Sequence, residues 1–203
     1  MRIIAFGCSM TFGQGLPDCV QGKKRDLPSQ YAWPSVLGRL TRRPVINLAV
    51  PGASNLEILH TIKKFSNTIG SHDIVCVMWS YIERSCVIKN DSVLQIGPWI
   101  DKPYSREYYR LLHDASHDRF MYQLYVHHAD YTLRSHTDNI LYTEVLESGA
   151  FPLQLQCMPV NYGNIPVAED QPAHDLGIDG MHPGIIQHER LAKQILPYVR
   201  PFL

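Results

Sequence analysis

The sequence lacks the features that mark several classes of protein. Its 203 residues contain no apolar run near the roughly 18–20 residues that cross a bilayer, so we expect no membrane association. Nineteen Lys and Arg residues balance nineteen Asp and Glu residues, and this neutral total does not indicate a nucleic-acid partner. Residues 1–7 hold no apolar segment of signal-peptide length. We therefore expect cytoplasmic synthesis, and the sequence leaves open whether the protein then joins a larger particle or an oligomer.

Cysteine pairing and metal-ligand spacing are also missing. The five cysteines, at positions 8, 19, 76, 86 and 157, form no Cys-x-x-Cys pair, and their odd number does not suggest a disulfide framework. His113 and His117 have the i, i+4 spacing of a helical metal site, but no Glu follows His113 as in a His-Glu-x-x-His motif. We predict reduced thiols, no metal and no cofactor.

Short continuous apolar runs alternate with amphipathic segments along the chain. The predicted strands are residues 2–6, 44–50 and 73–79, with a less buried fourth at 153–158. The predicted helices are residues 31–40, a segment from Ser54 to Gly70 with Ser54 as N-cap, and a C-terminal segment ending at Pro197. Residues 106–149 are helix-like and rich in Tyr and His.

This alternation predicts an α/β sandwich around a buried parallel sheet, with right-handed crossovers between the strands. We expect residues 1–203 to form a single domain, with a helical His- and Tyr-rich insertion around residues 100–149. Ligands of such sheets bind beyond the carboxyl ends of the strands. The segments that follow the strands are therefore the places to look for chemistry.

Ser9 follows the first predicted strand within the segment Gly7-Cys8-Ser9-Met10-Thr11-Phe12-Gly13. A sharp turn there presents the Ser9 hydroxyl at the sheet edge and directs its backbone N–H toward the same space, as an oxyanion hole requires. Adjacent residues of an extended turn point in opposite directions. We therefore expect Cys8 to be buried under the strand rather than to act as a thiol nucleophile.

Two further segments complete the pattern. Gly52 follows the second predicted strand, where its N–H lies close to the start of a helix; a plain strand-to-helix turn is the alternative. Asp179 precedes His182 by three residues in a loop before the last helix, a spacing that lets the carboxylate orient the imidazole; a turn with a surface histidine is the alternative.

Together these blocks resemble those of the SGNH hydrolases, also called the GDSL esterase/lipase superfamily. Residues 7–13 match the first block and residues 47–55 the second, Asp179 and His182 match the last Asp-x-x-His block, and Trp33-Pro34 with Leu37 also fits many members. The resemblance implies a three-layer α/β/α sandwich with a mostly parallel sheet of about five strands, and catalysis by Ser9, His182 and Asp179. It also implies an oxyanion hole formed by the N–H groups of Ser9 and Gly52.

The sequence departs from the family pattern in two blocks. Cys8 replaces an Asp of the first block that is mostly structural in the family. The third block normally supplies an Asn oxyanion donor, whereas residues 79–84 read Trp-Ser-Tyr-Ile-Glu-Arg. Either Ser80 Oγ or the Tyr81 hydroxyl or amide replaces the Asn, or the hole has two donors. Arg84 either binds an anionic substrate or pairs with Glu83.

The resemblance implies a serine esterase that cleaves a small O-acyl ester, acetyl-like and carried by a small molecule or a glycan. The alternative is a weakly active or inactive protein that keeps this fold as a structural or binding module, for example in a larger, phage-like assembly. Acyl transfer to another alcohol would use the same residues.

Overall fold

The computed structural model describes residues 1–19, 27–145, 151, 152, 155, 157, 158 and 175–203. Among these residues, no helix combines the length and the apolar character that crossing a bilayer requires.

Six strands and six helices organise the described chain. The strands are β1 (Ile3–Phe6), β2 (Val45–Asn47), β3 (Ile74–Trp79), β4 (Ser85–Lys89), β5 (Ser92–Ile96) and β6 (Ile140–Glu144). The helices are α1 (Ser9–Phe12), α2 (Trp33–Thr41), α3 (Asn55–Phe65), α4 (Pro103–Leu111), α5 (Ala115–Arg134) and α6 (Ile185–Val199).

A parallel sheet with the order β2-β1-β3-β6 forms the centre of the molecule. Ala5 of β1 is paired with Asn47 on one side and with Cys76 on the other, and Cys76 is in turn paired with Leu141 of β6. Every residue of β1 and β3 is buried, which explains their continuous apolar sequence. The predicted α/β class with a parallel sheet is confirmed.

Helices cover both faces of this sheet. Helix α2 packs against α6, and α3 packs against α5. The predicted N-cap is confirmed, because Ser54 Oγ accepts a hydrogen bond from the Glu57 N–H at 3.3 Å. His188 of α6 is fully buried, and its Nδ1 accepts the backbone N–H of Trp33 at the start of α2 over 3.1 Å. Burial lowers the pKa of His188 to about 3, so the ring is neutral and joins the two helices.

The middle of the chain differs from the helical interpretation. Helix α5 ends at Arg134, and residues 140–144, predicted as helix-like, instead form β6 beside β3. Residues 85–96, for which no element is predicted above, form the antiparallel β4–β5 hairpin after β3. Apolar residues of α5, including Tyr122 and Leu133, lie in the main core. Whether these segments become strands depends on the neighbouring strand with which they pair, and not on their local periodicity alone.

The fourth predicted strand, at residues 153–158, lies partly outside the described residues. Within the described part, Cys157 forms a parallel bridge with Tyr142, and the Met158 N–H donates to the Tyr142 carbonyl at 2.7 Å. This pairing is at the edge of the sheet beyond β6. None of the five cysteines, all of which are among the described residues, forms a disulfide bond.

Candidate active site

Ser9 lies where the chain turns from β1 into the short helix α1. Cys8 has an extended backbone and a fully buried side chain, as predicted, and Ser9 is the first residue of the helix. First-turn N–H groups of a helix have no partner within it. Among the described residues, nothing accepts the Ser9 N–H or Oγ–H. Both donors are therefore available to a ligand.

Asp179 and His182 form a hydrogen-bonded pair in the loop before α6. Asp179 Oδ2 lies 2.6 Å from His182 Nδ1, while Oδ1 accepts the backbone N–H groups of Met181 and His182, each at 3.0 Å. Burial opposes the carboxylate charge, but these hydrogen bonds outweigh it and lower the pKa of Asp179. An ionised Asp179 therefore fixes the imidazole and leaves Nε2 to face away from it.

The loop that carries this pair is docked on Gly15, a contact that sequence reasoning missed. The Gly15 carbonyl accepts the Ile178 N–H at 2.7 Å. Gly15 has a φ of +84°, and a Cβ built on it would lie 2.7 Å from both carboxylate oxygens of Asp179. Only glycine fits this position, since it tolerates the conformation and lets Asp179 approach the backbone. A glycine shortly after the serine block was the only available signal.

One open cavity of about 440 Å³ brings together the residues predicted from three separate blocks. Its described lining is Ser9, Gln14, Pro51, Gly52, Arg84, Gln95, Trp99, Met181 and His182. Trp99 and Met181 are 50 % and 70 % exposed, so apolar side chains border its mouth. No hydrogen bond joins Ser9 Oγ to His182 within the described part of the chain. Such catalytic contacts are commonly long before substrate binds.

Gly52 is held in a left-handed turn under Gln95. Its φ is +77°, and a Cβ on Gly52 would lie 2.6 Å from Gln95 Oε1. Gln95 Nε2 donates to the Pro51 carbonyl and to Glu57 Oε2, both at 2.9 Å. The hairpin strand β5 thus fixes the turn that carries Gly52. Nothing in the described structure accepts the Gly52 N–H.

The segment after β3 is held by Asn55, whose function sequence reasoning missed. Asn55 Oδ1 accepts the Ser80 N–H at 2.7 Å, and its Nδ2 donates to the Ser80 carbonyl at 3.1 Å. Ser80 is buried, and neither Ser80 nor Tyr81 is among the described residues that line the cavity. The oxyanion role of Ser80 or Tyr81 stays a prediction.

Arg84 reaches the cavity from the same segment. Its guanidinium carbon lies 4.5 Å from the ring centre of Tyr81 and 4.4 Å from that of Trp99. Its Nη1 donates to Ser80 Oγ at 3.1 Å. The ion pair with Glu83 that the sequence suggested is not formed, since the two charged groups are more than 4.0 Å apart. A planar cation is thus presented to the cavity that Ser9 and His182 line.

No protein-family model and no curated protein matches the sequence. Similar solved structures include an acetyl xylan esterase from Butyrivibrio proteoclasticus, with a TM-score of 0.61 and 11% identity over 98% of this chain and 64% of that chain. A lipase/acylhydrolase from Enterococcus faecalis has a TM-score of 0.57 and 13% sequence identity, over 99% of this chain and 96% of that chain. A member of the lipolytic G-D-S-L family from Veillonella parvula has a TM-score of 0.52 and 12% sequence identity, over 97% of both chains. The chain therefore has the fold of the SGNH, or GDSL, hydrolase superfamily.

Proposed function

We propose that this protein is a serine esterase that cleaves a small O-acyl ester with Ser9 as nucleophile. One observation carries the proposal: His182, which is hydrogen-bonded to Asp179, and Ser9, whose hydroxyl has no acceptor among the described residues, line the same cavity. A nucleophile, a base and a group that orients the base are the three components of a Ser-His-Asp triad. The SGNH fold of the chain agrees with this chemistry.

In the first half-reaction, Ser9 Oγ attacks the ester carbonyl carbon while His182 Nε2 takes the hydroxyl proton. The new O–C bond moves the carbonyl electron pair onto oxygen and gives a tetrahedral oxyanion. When that pair returns, the bond to the leaving alcohol breaks, and His182 gives its proton to the alkoxide. Asp179 stays ionised throughout and stabilises the imidazolium.

In the second half-reaction, water attacks the acyl-Ser9 carbonyl, with His182 again accepting the proton and returning it to Ser9 Oγ. The products are a carboxylic acid and an alcohol. An alcohol in place of water gives acyl transfer by the same residues. Product analysis in the presence of an acceptor alcohol separates the two outcomes.

The backbone N–H groups of Ser9 and Gly52 are the proposed donors to the oxyanion. Both belong to cavity-lining residues and neither has an acceptor among the described residues. A donor of this kind is worth about 3–4 kcal/mol of barrier. Ser80 or Tyr81 would be the third donor.

An acetylated carbohydrate is the proposed substrate. A similar structure is an acetyl xylan esterase, although likeness at 11% identity extends to the fold alone. Trp99, half exposed at the cavity mouth, offers an aromatic face of the kind that packs against a sugar ring. The cavity, about 440 Å³, is within the usual range for a small-molecule site.

Covalent labelling with a fluorophosphonate tests the nucleophile directly. We expect labelling of Ser9, located by peptide mapping, together with hydrolysis of p-nitrophenyl acetate. Ser9→Ala should abolish both while keeping the wild-type melting temperature. Ser116→Ala is the matched control, since Ser116 lies on the exposed face of α5 and bonds only to Asp114 among the described residues. An unlabelled wild-type protein with no turnover would instead favour the structural or binding module.

A further inference from the structure

Arg84 is a cation without a counter-ion in the described structure. No carboxylate of the described residues lies within 4.0 Å of its guanidinium, and its buried Nε makes no hydrogen bond with a described residue, although the side chain as a whole is partly exposed. A buried donor without a partner loses hydration without compensation. A group in this state gains from a partner that a ligand supplies.

The two aromatic rings determine how such a partner can approach. The Arg84 guanidinium carbon lies over the rings of both Tyr81 and Trp99, at 4.5 and 4.4 Å from their ring centres. A guanidinium makes its hydrogen bonds through its in-plane N–H groups. Nη1 uses one hydrogen on Ser80 Oγ, and no described residue accepts from the buried Nε. Planar, parallel donors match a carboxylate, which accepts two such bonds side by side.

The nearby acids of the chain are engaged elsewhere. Asp118 borders a small cavity of about 40 Å³ that Arg84 also borders, but its Oδ2 is paired with His113 Nε2 at 3.0 Å. Asp179 is paired with His182 at 2.6 Å. Neither carboxylate satisfies Arg84. Arg84 also lines the larger cavity, where the proposed ester is cleaved.

We infer that the substrate carries a carboxylate close to its acyl ester, and that Arg84 is the residue that binds this carboxylate. The inference rests on the proposed esterase function of the same cavity. It assigns a specificity-determining role to the variant third block, in which Arg84 occurs and the usual Asn does not. The substrate class is an O-acylated carboxylic acid, such as an acylated acidic sugar.

A different role for Arg84 would leave a different kinetic signature. If Arg84 replaced the missing Asn as an oxyanion donor, it would stabilise the transition state of every ester equally. If it binds a substrate carboxylate, its loss affects acidic esters far more than neutral ones. The ratio of kcat/KM values for acidic and neutral esters therefore separates the two roles.

The first experiment uses the wild-type protein and esters of matched reactivity. We compare p-nitrophenyl hexanoate with the p-nitrophenyl monoester of adipic acid, which carries the carboxylate on the acyl side but too far from the ester for rapid anhydride formation, and phenyl acetate with 3-acetoxybenzoate, which carries it on the alcohol side. We expect kcat/KM to favour one acidic ester by about tenfold to a hundredfold over its neutral partner, as charge-assisted hydrogen bonds imply. The pair in which the acidic ester is favoured shows whether the substrate carboxylate lies on the acyl side or on the alcohol side of the ester. Equal rates for acidic and neutral partners on both sides would overturn the inference.

The second experiment replaces the guanidinium. Arg84→Met keeps an unbranched stem beside the two rings but removes the charge, and Arg84→Lys keeps the charge without the planar donors. We expect Arg84→Met to reduce the acidic-to-neutral ratio to about one, and Arg84→Lys to give an intermediate ratio. Arg110→Met, at an exposed arginine paired with Glu107 on α4, should keep the wild-type ratio. An equal fall for acidic and neutral esters in Arg84→Met would contradict carboxylate binding.

A binding measurement distinguishes failure of this inference from failure of the esterase proposal. Binding of 3-acetoxybenzoate to the Ser9→Ala protein is measured by saturation-transfer NMR of the ligand. The uncharged 3-acetoxybenzamide serves as the matched control. We expect saturation transfer to the acid that disappears in Ser9→Ala/Arg84→Met. Undiminished binding in the double variant overturns the Arg84 assignment even if the enzyme is an esterase. Arg84-dependent binding by a wild-type protein without turnover or labelling overturns the esterase and keeps the carboxylate site.

Discussion

The carboxylate of Asp179 lies against the backbone of Gly15, so close that a Cβ at Gly15 would be 2.7 Å from both of its oxygens. Gly15 belongs to the loop after the serine block, and Asp179 belongs to the loop before the last helix. Contact between them joins the two ends of the chain at the candidate active site. The position of His182 therefore depends on a residue that performs no chemistry.

Gly15→Ala should lower both stability and esterase activity. The substitution places an L-residue at a φ of +84° and forces Asp179 to move. Gly180→Ala is the matched control, because Gly180 has a φ of +68° but open space around its Cβ position. We expect each variant to lose about 1–2 kcal/mol of unfolding free energy from backbone strain. Only Gly15→Ala should also lose tenfold or more in kcat. Equal kcat values for the two variants would show that the contact does not position the pair.

Gly52→Ala should impair turnover more than substrate binding. A φ of +77° and a Cβ position 2.6 Å from Gln95 Oε1 require the turn to shift, which moves the proposed oxyanion donor. We expect a loss of about a hundredfold in kcat with a smaller change in KM. Gly70→Ala is the control, since its Cβ would meet only Asp73 atoms, at the ordinary contact distance of 3.5 Å or more. A change in KM alone would contradict an oxyanion role.

Asn55→Ala should destabilise the segment that presents Arg84. The substitution removes two hydrogen bonds to the Ser80 backbone and leaves buried polar groups without partners. The expected loss is about 2–4 kcal/mol in the free energy of unfolding, measured with urea. Asn67, which also precedes β3 in the chain, is exposed, so Asn67→Ala should change the free energy of unfolding by less than about 0.5 kcal/mol. Comparable losses in the two variants would argue against the Asn55 contact.

His188 should make the protein less stable in mild acid. Burial lowers its pKa to about 3, whereas an unfolded histidine titrates near 6.5, so between these values the unfolded state binds more protons. Stability therefore falls as the pH falls through this window. Between pH 7 and pH 5 the His188 contribution is about 2 kcal/mol.

His188→Asn is the variant that isolates this effect. The amide oxygen of Asn can accept the Trp33 N–H in place of His188 Nδ1, but the group does not titrate. We expect the loss of unfolding free energy between pH 7 and pH 5 to be about 2 kcal/mol smaller in the variant. The fold lowers the pKa values of Asp73 and Asp179, so both titrate below this range. Identical losses in the two proteins would mean that His188 is not held neutral.

Much of the fold could be predicted because its strands and helices carry strong local signals. β1 and β3 are buried on both faces and read as unbroken apolar runs, and α3 has a capping serine at its start. β6 and the β4–β5 hairpin were not predicted. Ile140, Tyr142 and Thr143 of β6 are residue types that favour strands, but they stand at the end of a Tyr- and His-rich segment that reads as helix, and only the pairing with β3 identifies the strand.

The candidate site divides in the same way. Ser9, Gly52, Asp179 and His182 stand in recognisable blocks, because each block is a local turn whose residues are adjacent in sequence. Gly15 and Asn55 gave no comparable signal, since their importance comes from contacts with residues more than 20 positions away.

The sequence by itself determined the parallel sheet and the chemical groups at the ends of its strands, because hydrophobic periodicity and short motifs are local properties. Tertiary structure decided the surroundings of those groups. It placed Asp179 on Gly15, left Arg84 over the rings of Tyr81 and Trp99 rather than beside Glu83, and brought Gln95 over Gly52. The physical reason is that packing and charge pairing depend on which distant segments meet, and the order of residues along the chain does not specify those distances.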